Sequence, residues 1–198
     1  MKILERVREM ILNPKITWEG IKEEEIEIRQ FFINYAAPLA LIPAVSSFVG
    51  ITIIGLRLPD GAVMRAPFLE ALVGSTGGYA LNLAAVFAVA WAIKLLAPLF
   101  GAKADLSSAA KVVVYSMTPV WLVGVFSLIP GLGILSILGL YGIYLLALGL
   151  KTVLDAPSDR LALYTISGLA VGVMVSFIFS LIIVSLFYGP MYLRMLAV

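Results

Sequence analysis

The chain has 198 residues, of which 62% are hydrophobic and only 13% charged, with a mean hydropathy of +1.05. A soluble domain is about 45–50% apolar and about 25% charged, so this chain carries more apolar surface than a core of its size can bury, and the remainder must face lipid. Its net charge of +2, with no basic run interleaved with aromatics, excludes nucleic acid as an implied partner.

Cysteine and histidine are both absent. That removes disulfide frameworks, His/Cys zinc sites, His general bases and Cys nucleophiles, and neither a metal nor another cofactor is expected. Gln30 is the single glutamine, and the composition suits a thermophile.

The opening segment mixes Lys, Arg and Glu throughout, so no cleavable signal peptide is expected. Within it Ile3, Leu4, Val7, Met10 and Ile11 recur at helical spacing between charged residues. This pattern predicts an amphipathic helix lying in the membrane interface. Asn13 and Pro14 end that helix or cap the next, since proline is tolerated at a first helical position. Residues 17–29 read as a second, acidic helix running into the first span, with Trp18 near its start.

A bilayer core of about 30 Å requires roughly 20 apolar residues in a helix. Five stretches meet that length: Phe31 to Leu56, Leu69 to Phe100, Ala109 to Ile129, Leu132 to Leu154, and Leu161 to Tyr188. None alternates as a transmembrane barrel strand would. The expected fold is all-α: a polytopic membrane protein of five transmembrane helices preceded by an interfacial helix. Residues 1–30 form the cytoplasmic amphipathic and juxtamembrane part, 31–190 the transmembrane domain, and 191–198 a short external tail.

Orientation follows from the flanking charges. With the N-terminus cytoplasmic, eleven of the 14 basic residues lie inside: Lys2, Arg6, Arg8, Lys15, Lys22, Arg29, Lys94, Lys103, Lys111, Lys151 and Arg160. Arg57, Arg65 and Arg194 lie outside. The expected setting is the cell membrane, N-terminus cytoplasmic and C-terminus external.

Pro38 and Pro43 predict a bent or broken first span. Gly74 with Gly78, and Gly168 with Gly172, allow close helix approach within the bundle or between copies. Between the third and fourth spans, Pro130, Gly131 and Gly133 leave room only for a tight reversal. Folding that hairpin about Gly131 sets Thr118 level with Tyr144, and Trp121 level with Tyr141. Tyr115 and Thr118 share one helix face, as do Tyr141 and Tyr144, and Pro119 frees the Tyr115 carbonyl from its helical bond. With Asn82, the carboxamide at mid-depth in the second span, these residues form a candidate binding patch. It is either a packing cluster around a kink or a groove for a lipid chain or small solute.

Catalytic constellations are sparse. Asp60, Asp105, Asp155 and Asp159 fall in loops, and Lys111 lies close in sequence to Ser107, Ser108 and Ser116 but at a span end, where lysines normally snorkel. No catalytic residue is assigned, and the protein is not expected to be an enzyme.

The chain resembles the Yip1 domain family of five-span membrane proteins, in its shorter prokaryotic form. Asn13-Pro14 followed by Thr17-Trp18-Glu19, the run from Tyr115 to Pro119, the Ile129 to Gly133 hairpin, and Leu145 to Lys151 leading to Pro157 carry the likeness. The resemblance implies an N-in, five-span topology. Eukaryotic members associate with Rab GTPases and with one another; their long cytoplasmic region is nearly missing here, which argues against Rab-type binding. The expected function is non-enzymatic: membrane organisation through self-association or association with other membrane proteins, with lipids as the surrounding partner. The alternative is a passive channel, lipid translocase or small-solute transporter using the mid-membrane patch.

Overall fold

A long apolar run in lipid must satisfy its backbone internally, so it coils into helix. The computed structural model describes residues 3–25, 27–57, 61–129, 132–183 and 185. Among these, five helices have the length and apolarity to cross a membrane: Ile28–Ile54, Phe68–Phe100, Leu106–Leu128, Ile134–Thr152 and Leu161–Ile183. The first four start and stop within three residues of the sequence expectation, and the fifth starts where expected. Its expected end at Tyr188, the external tail, Pro130 and Gly131 lie outside the described residues. A two-rung antiparallel ladder, Leu56 opposite Met64 and Arg57 opposite Val63, closes the connection between the first two spans.

The third span is the centre of the bundle. Its most apolar window is 61% buried, against 6% for the fifth span, which lies at the periphery. Pro43 of the first span sits on Gly124 of the third, where a Cβ would come within 2.6 Å of the proline ring. Gly50 likewise lies against the Ser127 and Leu128 carbonyls.

The first span is interrupted, as its prolines predict. Residues Phe32–Ala36 form a π-helical turn ahead of Pro38, Ala37–Val49 is α-helical, and Gly50–Ile54 is again π-helical. The third span breaks at Met117 and tightens into a 3₁₀ helix over Gly124–Leu128; the fourth begins as a 3₁₀ helix, Leu132–Leu140, which includes Gly133, before relaxing at Tyr141. The Leu132 N–H donates to the Ile129 carbonyl at 3.1 Å, so the two spans reverse within one turn. Gly142 lies under the Ser116 carbonyl and Gly149 beside Val112, close to the register that reflection about Gly131 gives.

Two N-terminal helices, α1 (Ile3–Leu12) and α2 (Pro14–Glu23), fold back against the bundle. Pro14 opens α2, while the Asn13 side chain makes no capping bond. The amphipathic face of α1 is divided: Met10 turns inward together with Arg6, and Leu4 is 77% exposed. Trp18 is fully buried, its ring against Gly149 and edge-on to Tyr115 at 6.0 Å. The acidic helix expected to run into the first span stops at Glu23, with extended backbone at Glu24 and Glu27. Glu23, Glu24, Glu25 and Glu27 would crowd like charge onto the negative end of the helix dipole, and the chain uncoils there instead.

Candidate functional site

The buried hydroxyl pair at the centre of the bundle is carried by the two broken spans. Pro119 lacks an N–H, so the third span yields at Met117, whose N–H turns back to the Val113 and Val114 carbonyls. Thr118, immediately after the break, is fully buried and lies 2.9 Å from the hydroxyl of Tyr35. Tyr35 belongs to the π-helical turn of the first span, one helical turn after Phe31. Its ring stacks on Phe31 at 5.8 Å and meets Tyr115 edge-on at 4.7 Å. Tyr115 is therefore wedged among Trp18, Phe31 and Tyr35 and is 3% exposed.

Further along the third span, the Trp121 indole N–H donates to the Asn82 carboxamide oxygen at 3.2 Å. The Asn82 amide NH₂ has no hydrogen-bond partner among the described residues, and the side chain lines a cavity of about 440 Å³. The second, third, fourth and fifth spans all contribute to its wall, which is apolar apart from Asn82, Ser116, Ser136 and Ser176. Gly139, Gly142, Gly168 and Gly172 also line it. At Gly168 a Cβ would strike Ile93 at 2.7 Å, so that glycine serves packing within the chain; a Cβ at Gly172 would meet nothing within 4 Å among the described residues.

The other two aromatic residues of the expected patch lie elsewhere. Tyr141 and Tyr144 pair with each other at 5.5 Å, and the Tyr141 hydroxyl donates to the Ile11 carbonyl of α1. The reason is angular. Gly142, Leu145 and Gly149 are buried on one face of the fourth span's α-helix, with Gly142 and Gly149 against the third span, and at about 100° per residue Tyr141 and Tyr144 both stand to one side of that face. The depth match made from the sequence takes no account of this rotation. Tyr35 was missed because an aromatic residue near a span start reads as an interfacial anchor; its spacing of four from Phe31 was the available signal.

Lys111 has a structural partner that the sequence did not suggest. Its ammonium donates to the backbone carbonyls of Ile21 and Glu24, closing the C-terminal end of α2. The neighbouring serines are bonded locally: Ser116 donates to the Val112 carbonyl, and Ser108 forms a capping box with Asp105. Two hydrogen bonds from Ser108, one from its hydroxyl and one from its backbone N–H, hold the Asp105 carboxyl below its ordinary pKa.

The family model described as the Yip1 domain matches residues 8–181. The chain is 26% identical over 167 residues to the inner membrane protein YohC of Escherichia coli strain K12, an alignment covering 82% of this chain and 86% of that protein. The YohC protein of Escherichia coli O6:H1 strain CFT073 matches with the same identity and coverage. No solved structure matches the chain.

Proposed function

The chain belongs to the Yip1 domain family, and on that premise we propose that this multi-pass membrane protein is a non-enzymatic organiser of the bilayer that works by associating with further copies of itself. The observation carrying the proposal is the hollow at Gly172. It is mostly apolar, bounded by four spans, left unfilled by the side chains of the described residues, and flanked by the least buried span. In lipid, helices associate by close packing of small residues rather than by the hydrophobic effect. A glycine with open space above it is therefore where an apolar side chain from a neighbouring copy gains contacts.

Transport through a continuous polar path is the less favoured reading. The polar side chains form separate pairs, Tyr35 with Thr118 and Asn82 with Trp121, and in both pairs the partner on the third span is essentially fully buried.

The chain contains no cysteine, so single cysteines report without background. Val173→Cys and Ser176→Cys should give bismaleimide-linked dimers in membranes, while Ile33→Cys, exposed on the first span, should not. Equal crosslinking at all three positions would reduce the proposal to random collision.

A further inference from the structure

A second cavity, of about 430 Å³, lies at the end of the bundle where α1 meets the start of the first span. That volume is within the range of about 300–1,000 Å³ usual for ligand sites. Its aromatic lining comes from Phe31, Tyr35 and Tyr115, with Ile3 and Arg6 contributed by α1. Glu24 and Glu25 line it from the link between α2 and the first span, and the carboxamides Gln30 and Asn34 complete the wall.

Arg6 is the charged group at this cavity that solvation explains least. Its side chain is 10% exposed, it pairs with Glu24, and its guanidinium lies 5.7 Å from the centre of the Tyr115 ring. A guanidinium carries five N–H donors in a planar fork that matches a phosphate. One carboxylate at the cavity edge leaves part of that fork for a second acceptor. Glu25 is exposed and makes no ion pair among the described residues.

The charges select among ligands. One guanidinium and two carboxylates line the cavity, so a simple anion meets net repulsion and a simple cation meets Arg6. A group carrying both signs satisfies both. Aromatic rings beside an acid are a favourable seat for an ammonium, through ring quadrupoles and charge together. The cavity also sits where the charged N-terminal segment gives way to the apolar first span, the level at which headgroups lie.

We propose that this end cavity is a binding site for a zwitterionic phosphodiester headgroup, with Arg6 holding the phosphate and Glu25, beside Phe31 and Tyr35, holding the ammonium. The site is independent of self-association at Gly172.

The test is native mass spectrometry of the full chain released from micelles containing phosphatidylethanolamine, phosphatidylcholine, phosphatidylglycerol or diacylglycerol. The two zwitterionic lipids should be retained about tenfold more tightly than phosphatidylglycerol, the scale of one desolvated cation–π and charge contact. Glu25→Gln, on an exposed side chain that folding does not need, should erase that ratio. Arg6→Gln should lower retention of every phospholipid. If Arg6→Gln fails to fold, the Glu25→Gln ratio still decides. Competition by free glycerophosphoethanolamine would assign the site to the soluble headgroup; lack of competition, with selective lipid retention, would assign it to the intact lipid. Equal retention of zwitterionic and anionic lipids, or an unchanged ratio in Glu25→Gln, would overturn the proposal.

Discussion

The hydroxyls of Tyr35 and Thr118 lie 2.9 Å apart between the first and third spans, and both side chains are buried. Each hydroxyl is delivered by an irregularity, a π-helical turn ahead of Pro38 and a break ahead of Pro119. Removing one partner strands the other in an apolar interior. Tyr35→Phe or Thr118→Val alone should destabilise the protein by about 1 kcal/mol. The double variant should cost clearly less than the two single costs added together. Thermal unfolding in detergent, arranged as a double-mutant cycle, measures the difference; strict additivity would show that the hydroxyls do not interact.

At Trp18 the docking of α2 rests on shape rather than on a hydrogen bond. The Trp18 indole N–H is buried without a partner among the described residues, while its ring fills the space over Gly149, where a Cβ would come within 2.9 Å. Trp18→Phe should therefore keep α2 docked at a modest cost. Gly149→Leu should undock it, at about 1–3 kcal/mol or more. Hydrogen exchange over residues 3–23 reads the outcome, and comparable protection in both variants would contradict the packing account.

Asp105 gives a pH dependence of known sign. Its carboxyl is held below the ordinary value of 3.8 by its two bonds from Ser108. The stability it supplies is fully present above the ordinary carboxylate range and is lost as pH falls through the lower folded value. Asp105→Asn, which still caps, should flatten the acid limb of the stability curve with little change at neutral pH. Asp105→Ala should cost about 1 kcal/mol at neutral pH. Unfolding midpoints measured from pH 7 down to about pH 3 test both.

Much of the architecture is legible from hydropathy alone, because a bilayer leaves a run such as Leu161–Ile183 no other regular structure to adopt. Pro38 and Pro119 mark their breaks for the same reason: a missing N–H cannot be hidden. The hydrogen-bond register between those breaks is not legible. The 3₁₀ stretch Leu132–Leu140 and the π-helical turn Phe32–Ala36 use residues of ordinary helical composition. Rotation was the other loss. Depth places Thr118 level with Tyr144, but only the inward face of Gly142, Leu145 and Gly149 shows that Tyr144 points elsewhere. The inward Arg6 and the bond from Lys111 to the end of α2 depend on how two short helices fold back, which no local pattern encodes.

Self-association at the hollow is the central claim, and energy transfer between labelled copies in liposomes tests it most directly. Wild-type copies carrying donor and acceptor should keep transferring as excess lipid dilutes them. Gly172→Leu, at a position where an added Cβ meets no atom within 4 Å among the described residues, should fold normally and lose that transfer. Transfer that falls in proportion to dilution, and equally in both proteins, would contradict the claim.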